Sequence, residues 1–484
     1  MTDPLVTIST GTLRGLRRPG SLAFLGIPFA AAPIGENRFA APQPVTPWDG
    51  VRDATAYGPT PQRGDTGITL IPEPSVPGDA TLNVNVFTPR ETDAATACPV
   101  LVWIHGGGYI SGSPASPWYD GDTFARTGIV VVTLSYRLGF DGFGAIEGAV
   151  SNRGVRDWIA ALEWVQQNIA AFGGDPARVT IGGQSAGGGA VLTLLGMPSA
   201  QHLFSAAWSI SGALGDVPLD EARARGARLA AAAGVSADRD GFASVPEERL
   251  HALQSTIELA PHRGRLAPLR EMIAERAWGP AVDGELLHTD TPTSIASGVG
   301  ADKPLLIGST ADEFTMVTDS FAHKLRLVPA WLALAALGLD RRRRRAYLRH
   351  NPGPRAKGTA AVLGRYVTDR VFGALVPRVA DARRSAAQTW AYRFTWPSPT
   401  IGWACHCLDV PFWFGRLEAD GVARIAGTNP PASLAERMHA TAVAFIRDHR
   451  TAWTPWGEAP GTTQVFDLDS PVVADGYAGT AALL

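Results

Sequence analysis

Short apolar, β-branched runs alternate along this chain with longer stretches whose apolar positions return every three to four residues. The runs are "PVLVWI" ending at Ile104, "GIVVVTL" at Leu134, "RVTI" at Ile181, "AAWSI" at Ile210, "KPLLI" at Ile307 and "TWAYRFTW" at Trp396. Most are apolar throughout, the signature of strands covered on both faces of a parallel sheet. In "VRDWIAALEWVQQNIAAF", Trp158, Leu162, Val165 and Ile169 fall on one helical face. The alternation predicts an α/β protein. No internal repeat or linker marks a boundary, so residues 1–484 are read as one domain, with about 315–385 as a helical cap inserted between two core strands.

Composition narrows this picture. With 484 residues, 45% hydrophobic and 18% charged, the chain can bury a large core, and its 53 glycines and 37 prolines supply many tight turns. A net charge of −2 gives no footprint for nucleic acid, and no apolar run reaches the ~18 residues needed to span a bilayer, so neither nucleic acid nor membrane is expected as a partner. The start "MTDPLVTIST" lacks a secretory pattern and three scattered cysteines make no disulfide framework, which predicts a soluble, cytoplasmic protein. One segment stands apart. Arg341 to Arg345 are consecutive, and either form a solvated helix face or meet an anionic partner.

Three motifs carry chemistry. Gly183-Gln184-Ser185-Ala186-Gly187 lies between the run "RVTI" and the helical "AVLTLLG". A serine on such a strand-to-helix turn is exposed and strained, and the flanking glycines let strand and helix approach. A phosphate-binding loop is the competing reading, but the Gly-Lys-Ser/Thr ending is missing. Earlier, His105-Gly106-Gly107-Gly108 follows the strand ending at Ile104. Unobstructed N–H groups there, with that of Ala186, would hold an oxyanion; Gly107, Gly108 and Ala186 are the candidate donors. Late in the chain, "WACHCLDVPFWFG" sets His406 between Cys405 and Cys407. In extended chain His406 would face away from both, and no second Cys cluster completes a zinc site, so no metal is expected; His406 is a core histidine or a catalytic base.

With these motifs on the page, the chain resembles the type-B carboxylesterases, the α/β-hydrolase group that includes para-nitrobenzyl esterases. "FLGIPFAAAPIGENRF" with "PWDGVRDATAYGPTPQ", the block "NRGVRDWIAALEWVQQNIAAFGGDPARVTIGGQSAGG", "PAVDG" and "PFWFG" carry the resemblance over most of the length. It implies an α/β-hydrolase fold, with a large, mostly parallel central sheet flanked by helices, and a serine ester hydrolase using Ser, an acid and His in that order, without cofactor. "PLLIGSTADEF" offers Asp312 and Glu313, and the family's position is Glu313. Among the histidines after the acid (His323, His350, His406, His439 and His449), only His406 sits in a loop after a late strand and matches the family's histidine.

The resemblance also assigns Ser211 in "SISGAL" a supporting place near acid and histidine, and it exposes departures. Gln184 replaces a glutamate common beside the nucleophile, Phe314 a glycine after the acid, and Thr81 a cysteine of secreted relatives. Cys405 and Cys407 are expected to pack as small hydrophobes behind the loop, with "PFWFG" in the core. The alternatives are a non-catalytic adhesion-type homologue on the same fold, or an amide or carbamate hydrolase. The substrate and the oligomeric state are not legible.

Overall fold

The six apolar runs become the middle of an eleven-stranded sheet in the computed structural model, which describes residues 3–64, 70–91, 97–257, 267–273 and 277–484. Numbered within this sheet, the strands are β1 (Leu16–Arg17), β2 (Ser21–Pro28), β3 (Asn83–Pro89), β4 (Cys98–Ile104), β5 (Val130–Leu134), β6 (Gly174–Gln184), β7 (Ala206–Ile210), β8 (Leu305–Thr310), β9 (Thr389–Phe394), β10 (Thr463–Phe466) and β11 (Val472–Val473). Their spatial order is β1-β2-β3-β5-β4-β6-β7-β8-β9-β10-β11. All pairings from β5 to β10 are parallel, whereas the pairs at either end are antiparallel.

Alternate residues of β4 show how both faces are covered. Val100, Val102 and Ile104 join a buried cluster with Trp158 of helix α1 (Arg153–Asn168) and Val191 of helix α2 (Ala186–Leu195). Leu101 and Trp103 point the other way, into a cluster with Trp208, Trp413 and Phe445. Trp413 belongs to "PFWFG", which is fully buried from Phe412 to Phe414. Each such side chain contributes about 1.5–3 kcal/mol of burial.

The strand expectations differ in detail. The run "RVTI" is the centre of a longer strand, β6, that continues through Gly182 and Gly183 to Gln184, directly before Ser185. β8 runs to Thr310, three residues past Ile307, and β9 stops at Phe394, two short of Trp396. β2 and β3 were not among the expected strands, although β2 reads SLAFLGIP; β3 is less apolar, burying Asn83, Asn85 and Thr88 among its apolar residues. Each finds a partner: Asn85 donates to Thr133 Oγ1 at 2.9 Å and Thr88 to the Phe172 carbonyl at 2.6 Å.

Between β8 and β9 the chain forms a helical insertion, including α3 (Ala330–Ala336), α4 (Arg341–His350), α5 (Thr359–Thr368) and α6 (Leu375–Ala382). Tyr347, Val362, Leu363 and Val367 form a small apolar cluster there, completed by Leu269 and Leu483 from outside the insertion. The insertion is tied to the sheet where Arg365 of α5 meets Asp312 at 2.8 Å.

Candidate active site

Ser185 stands at the carboxyl end of β6, in the middle of the sheet, with φ 59° and ψ −122°. Few residues adopt that conformation without cost, about 1–3 kcal/mol, and it persists only where the surroundings hold it. Here the Ser185 N–H donates to Ile210 O at 2.9 Å, while Ser185 O accepts from Gly189 N at 2.9 Å and Ala213 N at 3.0 Å. The glycines of the motif are steric requirements. A Cβ on Gly183 would lie 2.4 Å from Gly187 O, and one on Gly187 2.0 Å from Ile104 O.

Two further loops at the same edge of the sheet deliver an imidazole and a carboxylate. His406 Nε2 is 3.0 Å from Ser185 Oγ, and His406 Nδ1 is 2.5 Å from Glu313 Oε2. The other oxygen, Glu313 Oε1, accepts from Thr310 N at 3.0 Å, and the His406 N–H donates to Glu313 O at 2.8 Å. The acid loop and the histidine loop are therefore zipped together by their backbones. Glu313 is fully buried, whereas Asp312 turns to Arg365. Of the two acids left open by spacing alone, only Glu313 touches the histidine.

Opposite Ser185 lies the glycine-rich turn. Gly107 (φ 103°) and Gly108 (φ 63°) occupy backbone regions that favour glycine, and their N–H groups make no hydrogen bond within the described chain. Ala186 is the first residue of α2, where an N–H has no acceptor within the helix. A Cβ on Gly106 would meet Ser185 Cβ at 3.0 Å, so this glycine lets the turn approach the serine. His105 has a structural place: its ring stacks on Tyr136 at 4.5 Å and burial pushes its pKa down to about 4, which keeps it neutral.

The loop around His406 departs from expectation. Residues 406–409 form a turn rather than extended chain, and Cys407 has φ 66°. Cys407 is buried in the same apolar cluster as Cys405, but it also faces the site: its Sγ accepts from Gln184 Nε2 at 3.2 Å, and the same amide is 3.2 Å from His406 Nε2. Cys405 packs in the apolar cluster as expected. Burial raises both thiols, Cys405 to about 12, and neither is poised as a thiolate. Ser211 is buried at the end of β7 with φ 44°, and its Oγ has no partner among the described residues. The structure thus gives it no hydrogen bond to Glu313 or His406.

Apart from Phe314, already singled out in the sequence, the other groups around the site had no sequence signal. Phe314 and Phe372 pack against the His406 ring in tilted arrangements, with centroids 4.8 and 5.0 Å away, the second from a single π-helical turn, Asp369–Gly373, in the insertion. Such turns gather at functional sites but leave no mark in a sequence. Glu73, between prolines in "IPEPSV", is hydrogen-bonded to Ser111 beside the glycine turn; burial pushes it up to about 7, and its Oε2 has no partner among the described residues. Asp409 is likewise raised to about 7, by burial and then by Glu313, although Trp413 and Tyr392 donate to it.

Comparison with known proteins identifies the family. Residues 2–477 match the family model described as the carboxylesterase family. The chain is 34% identical to the para-nitrobenzyl esterase of Bacillus subtilis (strain 168), over 98% of its own length and 97% of that protein's. It is also 34% identical to the phenmedipham hydrolase of Pseudarthrobacter oxydans, with the same coverage. Among solved structures, a PNB esterase superposes with a TM-score of 0.85 at 30% identity over all of both chains. The Geobacillus stearothermophilus carboxylesterase EST55 gives 0.83 at 33% identity, over 99% of this chain and all of that one. The chain belongs to the carboxylesterase family, and it is a carboxylesterase on the α/β-hydrolase fold.

Proposed function

We propose that the protein cleaves carboxylic esters through an acyl-enzyme, with Ser185 as nucleophile, His406 as base and then acid, and Glu313 as the group that orients the imidazole. The observation that carries this reading is His406 bridging Ser185 and Glu313 through its two ring nitrogens. Ser185 Oγ attacks the ester carbonyl carbon as its proton passes to His406 Nε2. The tetrahedral intermediate collapses, the C–O bond to the alcohol breaks, and the alcohol leaves with that proton. Water then repeats the sequence on the acyl-enzyme, restoring free Ser185 and releasing the acid. Glu313 keeps the Nδ1 proton in place and stabilises the imidazolium. Every bond and proton is accounted for by these side chains.

The N–H groups of Gly107, Gly108 and Ala186 receive the oxyanion, each worth ~10²–10³ in rate when fixed in advance. The helical insertion acts as the cap, Phe372 closing one side of the imidazole. Three unpaired cysteines fit a reducing, cytoplasmic setting. Among the described residues no helix is long and apolar enough to cross a membrane. Treatment with an organophosphonate ester is expected to abolish hydrolysis at one equivalent, with the adduct on the peptide containing Ser185. An adduct on Ser211 or Ser309 would displace the nucleophile.

Gln184 tunes the reaction through its contact with His406 Nε2. A carboxylate at this position would favour the protonated ring, which cannot accept the Ser185 proton. Gln184→Glu is therefore expected to move the acidic limb of kcat/KM to higher pH and to raise kcat/KM for choline-type cationic esters relative to neutral ones. A limb that stays in place, or falls, would show that residue 184 does not act on the base.

A further inference from the structure

The arginine run singled out in the sequence makes no contact with Ser185, Glu313 or His406 among the described residues, and its surroundings give it another place. Arg341, Arg344, Arg345, Leu348 and Arg349 recur at the helical period, so one face of α4 carries four of the guanidinium groups. That face lines a groove of about 670 Å³ with Trp331, Pro352 and Arg355. Among the described residues, the only ion pair of the run is Arg343 with Asp340, 3.8 Å apart and exposed. From 321 to 357 the chain holds ten Lys and Arg against one acid, Asp340, although the whole protein carries −2.

Apolar side chains stand exposed in the segment that leads into this helix. Phe321, Leu327, Trp331 and Leu332 are four of the eleven large hydrophobic side chains exposed among the described residues, and Leu327 is 85% exposed. They lie within a dozen residues of sequence. Trp331 belongs to α3, and Arg344 joins the two elements: its guanidinium sits 5.9 Å from the Trp331 ring and donates to Trp331 O at 3.2 Å.

We propose that this face docks the protein reversibly on an anionic lipid bilayer. Arginines meet the headgroup phosphates, and Leu327, Trp331 and Leu332 enter the acyl boundary. Neither signal suffices alone: a polybasic patch is screened within a Debye length, and a few apolar side chains bind a membrane weakly. Their combination is what an interfacial surface requires, and a solvated charged face has no use for exposed Leu and Trp. The sequence argument against a membrane concerned a spanning segment, which peripheral docking does not need.

The test is cosedimentation of the full chain with vesicles of phosphatidylcholine, with and without 30% phosphatidylglycerol. Binding at low salt is expected only with the anionic lipid, and it should disappear at high salt. Arg341→Gln/Arg345→Gln/Arg349→Gln should weaken it about 100-fold. Leu327→Ser/Trp331→Ser should weaken it about 10-fold, with hydrolysis of a soluble p-nitrophenyl ester unchanged in both variants as the check on folding. Should the arginine variant not fold, the salt dependence of the unmodified protein and the Leu327→Ser/Trp331→Ser variant read the same question. Equal binding to neutral vesicles overturns the proposal. So does binding that is indifferent to the Leu and Trp changes and is displaced by soluble polyphosphate, because the face would then be a general polyanion site.

Discussion

Ser185→Ala is expected to lower kcat for a p-nitrophenyl ester by about 10⁴- to 10⁶-fold, the range seen when a nucleophile is removed from a serine hydrolase. The fold should be untouched. Ser185 Oγ makes its hydrogen bond to His406 Nε2, whereas the strained turn is held by backbone hydrogen bonds to Ile210, Gly189 and Ala213 that alanine keeps. Alanine meets the same backbone penalty as serine at φ 59°, so the melting temperature should stay within about two degrees. His406→Ala should cost nearly as much, and the double variant hardly more, because the two residues act as one unit. A Ser185→Ala enzyme that keeps a tenth of the activity would overturn the acyl-enzyme reading.

Why Ser185 could be found in a sequence, and Phe372 could not, follows from where their constraints lie. The glycines around Ser185 are demanded by close backbone approaches within a few residues, as the 2.4 Å clash of a Gly183 Cβ with Gly187 O shows. A local demand leaves a local motif. β4 to β9 were legible for a related reason: strands covered on both faces must be apolar throughout, and β4 is buried from Pro99 to Ile104. β3 was not, because its buried Asn85 is satisfied by Thr133, 48 residues away. Phe372 and Glu73 reach the site through the insertion and a proline-bracketed loop, contacts that only the complete fold creates. Cys407 packs among apolar side chains as expected yet also faces the site, and that departure has a local cause. The reading assumed extended chain, and a single residue at φ 66° turned the thiol toward Gln184.

Glu313→Gln is expected to reduce kcat by about 10⁴-fold with little change in KM, the scale of loss when the acid of such a trio is made neutral. The amide has nearly the volume of the carboxyl, so packing is preserved, and its oxygen can still accept from Thr310 N. What disappears is the negative charge 2.5 Å from His406 Nδ1, which fixes the tautomer and stabilises the imidazolium formed as Ser185 attacks. Asp312→Asn provides the contrast one residue away. Its carboxylate is 2.8 Å from the largely buried Arg365, and neutralising it leaves that guanidinium with the attraction of the buried Asp369 alone, at a cost of about 1–3 kcal/mol. That variant should melt several degrees lower yet, while folded, keep kcat within about ten-fold of the unmodified enzyme. The two neighbours thereby separate chemistry from stability: an Asp312→Asn protein that is folded but inactive, beside an active Glu313→Gln, would move the acid of the trio to Asp312.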